Sequence, residues 1–374
     1  MIDSIHLTLL AGRDLPVPLP AEVIQAVKAI QVTTSAGERS GFQITVATSR
    51  RSVVTTQLVP AGALDPGIRI VIVVTVSGLP TVLMDGVITR QEAGFSSELG
   101  QSTLTLTGED LTVLMETEDR RGRPFPPMPA VGVVGWLLKD YARYGIIPVL
   151  VPEVFSDVPN PIDHTRGQEG SDLEMIRKLA KDNGYVFYLD PGPLPGSSRA
   201  YWGPEIRIGV PQPALNVDME GTTNVEALSF SFDGLQRTQV TVTIQEPRTR
   251  ITVSVPVPDI SILAPPLAAR QAPSMRTKPL EGAAKLSPIS AMAKGLAAVA
   301  ESADAVTGSG QLNVLRYGRV LLPRRLVGVR GTGPAYDGLY YVKSVTHNLK
   351  PGEYTQNFSL SRNGLVPLVP MVVP

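Results

Sequence analysis

The chain has 374 residues, enough for two or three domains, and 43% of them are hydrophobic while 18% are charged. This composition permits buried cores and excludes a disordered chain. Lys and Arg (34) balance Asp and Glu (34), so net charge attracts the chain neither to nucleic acid nor to an acidic membrane surface. Cysteine is absent, which excludes disulfides, thiolate metal sites and thiol nucleophiles.

The first 110 residues show mainly strand patterns. Residues 5–10 alternate between polar and apolar side chains, and residues 21–30 carry the apolar stripe of a helix. Turn residues separate further strands predicted at 31–35, 41–49, 69–77, 81–90 and 103–107. These patterns predict a compact β-rich unit. No basic segment precedes an apolar run, so we expect no signal peptide, and the apolar runs are too short to span a bilayer.

The middle of the chain combines helix and strand patterns. Residues 131–144 are predicted to be helical. Ser171 and Glu174 form an S-x-x-E capping box at the start of a second helix, and Gly184 supplies a left-handed stop at its end. Residues 185–189 then alternate as a strand, so this region is predicted to be a small α/β unit.

Strand patterns return after residue 224 and continue to residue 362. A Pro-rich stretch, 256–280, and a helix of small residues, 291–305, interrupt them. The last ten residues, 365–374, contain too many prolines for an interior strand or helix. They predict an extended tail.

Two similar hairpins lie about 250 residues apart. Asp85-Gly86 and Asp337-Gly338 are each interpreted as an Asp-Gly turn feeding an alternating strand, followed by a polar loop and a second strand. Each pair ends one of the two β-rich regions. A repeated domain and a chance likeness between two hairpins both remain open from the sequence.

No motif for catalysis, cofactor binding or metal binding is present. His6, His164 and His347 are far apart and lack a metal-binding spacing. Neither a G-x-S-x-G turn nor a phosphate-binding glycine loop occurs. We therefore expect no catalytic, cofactor-binding or metal-binding residues, and no enzyme.

One acidic stretch keeps an enzymatic alternative open. A hydrolase that cleaves cell-wall glycan needs two carboxylates at a set separation, which sequence cannot establish. The other interpretation is a solvated, charged helix end. The acidic residues in question are Glu109, Asp110, Glu116, Glu118 and Asp119.

Four stretches in order along the chain carry a resemblance to a known family. They are "MDGVITRQEAGF…STLTLTGEDL" (84–111), "SDLEMIRKLAKDNGYVFYLD" (171–190), "YWGPEIRIG" (201–209) and "YDGLYYVKSVTHNLKPGEYTQNFSLSRNG" (336–364). With them the chain resembles the baseplate hub proteins of contractile phage tails, the late-control-protein-D family. It is also similar to the hub part of type VI secretion spike proteins.

The resemblance implies a mainly β fold with an α+β insertion. Residues 1–112 are expected to form a first tube-like β-barrel domain and 113–215 an α/β insertion domain. Residues 216–364 would form a second tube-like barrel, with a helical and Pro-rich insertion at 256–305. Residues 365–374 are the extended tail. The repeated hairpins would then belong to two similar barrels.

The resemblance also implies a function. A homotrimer would adapt a threefold spike to a sixfold tail tube. The expected partners are a spike protein, a tail tube or tube-initiator protein, baseplate wedge proteins and a tape-measure protein. No cofactor and no membrane are expected, and DNA would at most pass through the lumen. The chain would act in a virion tail baseplate or an extracellular injection particle assembled in the bacterial cytoplasm; a tail-associated cell-wall hydrolase is the alternative.

The apolar tail is predicted to dock on a neighbouring subunit or on the spike, because apolar surface left in water is costly. The alternative is a frayed terminus. The side chains expected at that interface are Leu365, Val366, Leu368, Val369 and Met371.

Overall fold

The structure is a computed structural model that describes residues 5–13, 15–37, 39–98, 100–153, 167–245, 252–258, 264–280 and 288–368. The first part of the chain is almost all strand. Its elements are β1 (His6–Gly12), β2 (Val17–Pro18), α1 (Ala21–Gln25), β3 (Val27–Ser35), β4 (Gly41–Ala47), β5 (Arg69–Val76), β6 (Leu79–Gly94) and β7 (Thr103–Asp110). A π-helical turn, Val54–Leu58, connects β4 to β5.

The middle part contains the larger helices. Its elements are a 3-10 turn (Leu111–Met115), α2 (Ala130–Leu138), a 3-10 turn (Lys139–Tyr144), β8 (Ile146–Leu150), α3 (Asp172–Asp182), β9 (Val186–Pro191) and β10 (Ser198–Gly203). Strand β10 pairs with β8 in parallel and with β9 antiparallel. Side chains of α2 and α3 pack with those of β9 and β10 in one apolar cluster.

The last part returns to strands. Its elements are β11 (Gln212–Asn216), a 3-10 turn (Glu220–Thr222), β12 (Val225–Phe232), β13 (Thr238–Gln245), β14 (Thr252–Pro256), β15 (Ala268–Gln271), β16 (Arg276–Pro279), α4 (Pro288–Glu301), β17 (Val306–Asn313), α5 (Val314–Tyr317), β18 (Leu326–Arg330), β19 (Gly338–Lys350), β20 (Glu353–Arg362) and β21 (Gly364–Pro367). Strands β13, β14 and β16 form a small separate sheet against α4.

One thirteen-stranded sheet runs through both ends of the chain. Its order is β12-β17-β20-β19-β3-β4-β7-β6-β5-β1-β2, with β18 on β19 and β11 on β18. The mainly β fold with an inserted α+β part is thereby confirmed. Among the described strands, β12 and β2 stand at the two ends of this order and do not pair with each other, so the sheet does not close on itself. The tube-like barrel form of each domain therefore remains a prediction.

The burial patterns follow from the sequence patterns. Strand β7 alternates, with Leu104 and Leu106 inside, whereas β5 reads RIVIVVTV and is buried along nearly its whole length. The largest apolar cluster draws on strands from both ends of the chain. Burial of this surface, at about 25 cal/mol per Å² of apolar area, is the main stabilising term.

Helix α3 has both of the end signals that its sequence contains. The Ser171 hydroxyl accepts a hydrogen bond from the Glu174 N–H (3.2 Å), and the Glu174 carboxylate accepts one from the Ser171 N–H (2.9 Å). Gly184 follows the helix at φ 67°. A Cβ at this glycine would lie 2.8 Å from the Ala297 Cα of α4. The glycine therefore serves both the turn and the close packing of α3 on α4.

The helix predicted at residues 21–30 is shorter in the structure. It ends at Gln25, and β3 begins at Val27. Burial then alternates along the β-branched run that contains Val32 and Thr34, and pairing with β4 and β19 decides the conformation. Tertiary pairing here overrides a helical stripe.

The predicted turn at Asp85-Gly86 is wrong. Both residues lie inside β6, and the turn before that strand is at Ser77 and Gly78, with φ of 50° and 81°. Asp85 is buried against Arg69, whose Nε and Nη2 donate to its two carboxylate oxygens, both at 2.7 Å. Burial raises the pKa of Asp85, and the hydrogen bonds from Arg69 oppose that rise. Asp85 is therefore one partner of a buried ion pair inside a strand, and Asp85-Gly86 is not a turn.

Asp337 and Gly338 do stand at the start of a strand, β19. The Asp337 carboxylate accepts hydrogen bonds from the Thr332 N–H and hydroxyl, both at 2.8 Å. Its backbone carbonyl accepts one from the buried Arg362 guanidinium, also at 2.8 Å. Arg362 thus ties this turn to the end of β20.

The start of the predicted tail is a strand of the same chain. Strand β21 pairs with β15, and Leu365 is buried there. Val366 and Leu368 are 40% and 54% exposed. Val369 and Met371 lie outside the described residues. The docking of the tail on another subunit stays a prediction.

A buried charge cluster joins the segment after β10 to β17 and β19. The Arg207 guanidinium donates to both Asp304 oxygens, at 2.5 and 2.7 Å, and to Glu205. Lys343 lies 3.1 Å from Asp304. Burial by itself would raise the pKa of Asp304, but Arg207 outweighs this effect and lowers that pKa to about 2.

His347 is buried on β19, at 1% exposure. Its Nδ1 lies 2.8 Å from the Tyr354 hydroxyl and 3.1 Å from Gln356 Nε2. Burial lowers the pKa of the imidazole to about 3. The ring is therefore neutral in the folded protein under ordinary conditions.

Replacing Arg207 with Met is expected to lower the free energy of unfolding by roughly 3 kcal/mol, because Asp304 would keep a buried charge with only Lys343 beside it. The double change Arg207→Met with Asp304→Asn should recover part of this loss. In the wild type, the contribution of Asp304 is present above its unfolded pKa of about 3.8 and is lost as pH falls to 2. Urea unfolding at pH 7 and pH 3 measures both effects; equal stability of all three proteins at pH 7 would contradict the assignment.

The buried imidazole predicts a second pH dependence. Its folded pKa lies below the unfolded value of 6.5, so its contribution is complete above pH 6.5 and is lost as pH falls toward 3. In His347→Gln, the slope of unfolding free energy against pH between 6.5 and 4 should be smaller by up to about 1.4 kcal/mol per pH unit. The exposed His6→Gln variant is the matched control. An unchanged slope in His347→Gln would contradict the prediction.

Candidate assembly surfaces

The main sheet contains the same five-strand unit twice. The first unit consists of β3 to β7 and the second of β12 and β17 to β20. In each unit the strands are numbered one to five in chain order. They then lie side by side in the order 3-4-5-2-1, which is β5-β6-β7-β4-β3 in the first unit and β18-β19-β20-β17-β12 in the second. A short helical turn also follows the second strand in both units, Val54–Leu58 and Val314–Tyr317. The two units therefore share one topology.

Bulges occur at matching places in the two units. The first strand of each unit carries one extra residue, Lys28 in β3 and Glu226 in β12. The fourth strand of each unit also carries one, Thr89 in β6 and Lys343 in β19. A bulge bends and twists its strand locally, so its position is a specific structural feature. The match therefore aligns the units residue by residue.

The hydrogen bonds beside the second pair of bulges agree with this alignment. Ile88 accepts from the Gly67 N–H (2.8 Å) and donates to the Ile68 carbonyl (2.9 Å). In the second unit Val342 does the same with Arg324 and Arg325, at 2.8 and 2.9 Å. By this alignment Ile88 corresponds to Val342, and Asp85 corresponds to Leu339. The two Asp-Gly pairs of the sequence are thus not equivalent, although the hairpins that contain them are.

The two units meet at the pairing of β3 with β19. Six residue pairs run from Ser35 opposite Ser344 to Ile30 opposite Leu349. The hydroxyls of Thr33 and Thr346 lie 3.1 Å apart across this junction, and the Gln31 amide donates to Asn348 at 3.2 Å. We call this pairing the internal seam. It uses the part of β19 after its bulge, while β18 pairs with the part before it.

Two strand edges that correspond to the internal seam carry no strand among the described residues. One is the side of β12 away from β17. The other is the side of β6 away from β7 after the bulge, residues 90–94, with Phe95 directly after it, because β5 pairs only with Leu79 to Val87. Phe95, at the end of this segment, is 86% exposed. Open edges with exposed apolar side chains are sites where another chain can add.

The acidic stretch does not bring two free carboxylates together. Glu109 and Glu116 both contact Arg39, at 3.1 and 2.5 Å. The other ion pairs are Glu118 with Arg120 and Asp119 with Arg121, while Asp110 caps the N–H of Thr112. These are largely exposed ion pairs and one helix cap. Exposed pairs of this kind contribute little to stability, and each of these five carboxylates already has a partner.

The remaining candidates for chemistry are also isolated. His164 lies outside the described residues, and His6 and His347 are in separate places. No group of three or more metal-binding side chains occurs among the described residues. Within that same part of the chain, every helix is too short or too polar to span a membrane.

Solved structures share this fold. A tail protein from Neisseria meningitidis MC58 matches with a TM-score of 0.62 at 13% identity, over 97% of this chain and 98% of that one. The 43 kDa tail protein of prophage MuSo2 from Shewanella oneidensis matches with 0.59 at 14%, over 97% and 99%. An E. coli type VI secretion component, described as structurally similar to T4 bacteriophage tail proteins gp27 and gp5, matches with 0.53 at 11%, over 92% and 77%.

No protein-family model matches the sequence, and no curated protein does so either. At 11 to 14% identity, the likeness establishes the fold. The predicted resemblance is confirmed at this level: the chain has the fold of phage tail proteins and of a type VI secretion component.

Proposed function

We propose that the chain is a structural, non-enzymatic hub of a contractile tail or injection-particle baseplate. It acts as a homotrimer that adapts a threefold spike to a sixfold tail tube. The observation that carries the proposal is the repeated five-strand unit with matching bulges. Three copies of a chain with two such units present six similar units around one axis while keeping threefold symmetry. A symmetry mismatch between tube and spike requires this combination.

The fold neighbours favour the same role. Two are tail proteins that match along nearly their whole length, and others come from complexes of a Francisella protein, PdpA, with VgrG. By analogy, the partners of this chain are a spike protein and a tail tube or tube-initiator protein, with baseplate wedge proteins and a tape-measure protein nearby. The chain then works in a virion baseplate or an extracellular particle. DNA, if present, passes only through the central opening.

The domain division belongs to the same proposal. Residues 1–112 and 216–364 form the two tube-like domains, with the 256–305 insertion in the second. Residues 113–215 form a lateral α/β domain between them. The α/β domain has an apolar cluster of its own, formed by side chains of α2, α3, β9 and β10. A separate core of this kind is typical of a distinct domain.

The oligomer is the first testable consequence. Full-length protein should sediment as a trimer at micromolar concentration, and negative-stain images should give rings with threefold symmetry and a central opening. Analytical ultracentrifugation over a hundredfold range of concentration measures the mass. A monomer at every concentration, or a twofold oligomer, would overturn the proposal.

The tail supplies the second consequence. We propose that 365–374 contacts a neighbouring subunit or the spike through its exposed side chains. Val366→Ser with Leu368→Ser should weaken trimer formation, or co-assembly with a spike, at unchanged unfolding temperature. Leu365→Ala is the matched control: Leu365 is buried in its own chain, so its loss should lower stability by about 2 kcal/mol. Unchanged assembly in the double variant would refute the contact.

A further inference from the structure

The internal seam has a missing counterpart. In the first unit, the outer edge of β3 is covered by the post-bulge part of β19. In the second unit, the corresponding outer edge of β12 carries no strand among the described residues. The strand that would correspond to β19 is β6, and its post-bulge segment is likewise unpaired there. One chain therefore offers both sides of a second seam.

The bulges fix how these two edges would align. Lys28 corresponds to Glu226, and Lys343 corresponds to Thr89. Transferring the register of the internal seam gives a set of opposed residues. They are Leu228 with Phe95, Ser229 with Gly94, Phe230 with Ala93, Ser231 with Glu92, Phe232 with Gln91 and Asp233 with Arg90.

Backbone hydrogen-bond direction agrees with this register. At the internal seam the Ala36 N–H donates to the Lys343 carbonyl. Every second residue of a strand directs its backbone N–H and C=O to the same side, so those of Thr34 and Val32 also point toward β19. Their counterparts in β12 are Phe232 and Phe230. The Asp233 N–H donates to Ala305 on the β17 side, so Phe232 and Phe230 direct theirs outward. The free edge of β12 therefore presents the donors and acceptors that the register requires.

Three of the six opposed pairs are complementary: Leu228 with Phe95 and Phe230 with Ala93 are apolar, and Asp233 with Arg90 is an opposite-charge pair. Arg90 would face Asp233, an opposite charge. Phe95, exposed by 86%, would lie across from Leu228, which is half-buried. Among the described residues, the ion-pair partner of Arg90 is Glu92 of its own strand, and both side chains are well exposed. An edge-to-edge contact would cover the exposed side chain of Phe95.

We propose that β12 of one copy of this chain pairs antiparallel with residues 90–95 of a second copy, which are the post-bulge end of β6 and Phe95 directly after it, in the register given above. The contact repeats the internal seam between subunits. It is heterologous, because each copy contributes one edge of each kind, and such contacts close into a ring when the rotation permits. The inference rests on the proposed homo-oligomer and assigns the residues that form it.

Engineered cysteines test the register, because the natural chain contains none. Glu92→Cys with Ser231→Cys places the thiols at the counterparts of Thr346 and Thr33. That is a non-hydrogen-bonded pair with Cα atoms about 4.5 Å apart, which suits a disulfide. Mild oxidation of the full-length protein should give covalent oligomers on non-reducing gels. The matched control, Glu92→Cys with Phe230→Cys, is slipped by one residue and points one thiol to the other face, so it should give none.

Each outcome has a separate meaning. Covalent products of at most three copies on the gel support both the register and the proposed trimer. Covalent products of four or more copies support the register and contradict the trimer. Rings in the electron microscope without cross-linking, or equal cross-linking of the slipped control, overturn the register and leave the hub proposal standing.

A charge exchange tests the same contact without cysteine. Arg90→Glu places two negative charges opposite each other and should reduce the association constant about tenfold or more. The double variant Arg90→Glu with Asp233→Arg restores an opposite pair and should regain most of that loss. Sedimentation measures association, and the thermal unfolding of each variant serves as the folding control. Equal association of the single variant and the wild type would overturn the pairing of these two residues.

Discussion

The internal seam is the contact on which the rest of the architecture depends. It places Gln31 against Asn348, residues separated by 317 positions. Joining such distant strands costs loop-closure entropy that grows only slowly with length. The gain is a continuous ladder from β12 to β2, in which backbone groups at the junction are satisfied and the largest apolar cluster spans both units. Without this pairing, the outer edge of β3 and the post-bulge edge of β19 would both lack a partner strand.

The bulges explain how one strand serves two neighbours. Before Lys343, β19 pairs with β18, and after it the strand pairs with β3 on the same side. An extra residue bends the strand and increases its twist, so the second partner can approach where the first one ends. Thr89 gives β6 a bulge at the corresponding place. Among the described residues, only β19 carries a second partner on that side.

Buried charges attach the inserted part to the sheet. Arg69 on β5 binds Asp85 and also donates to the Gly196 carbonyl at 2.9 Å, next to β10. Arg207 binds Asp304 near the start of β17. Such pairs contribute little net stability because charge desolvation offsets the attraction, but their geometry is directional. Here they connect the inserted part to the sheet, while the apolar cluster of that part lies apart from the main core.

The sequence by itself determined the features that depend on neighbours along the chain. The capping box at Ser171, the left-handed stop at Gly184 and the alternation of β7 each arise from a few consecutive residues. Local hydrogen bonds and burial on one face are sufficient to fix them. The mainly β class follows from many such segments together.

The tertiary structure decided what depends on distant partners. Asp85-Gly86 has the composition of a turn, but Arg69 and the close approach of Glu109 hold it inside a strand, where a Cβ on Gly86 would lie 2.2 Å from the Glu109 carbonyl oxygen. Residues 27–30 continue the helical stripe of 21–25, but pairing with β4 and, at Ile30, with β19 makes them a strand. The bulges, the internal seam and the partner of Asp304 leave no local pattern, because each is set by contact energy between segments that only folding brings together.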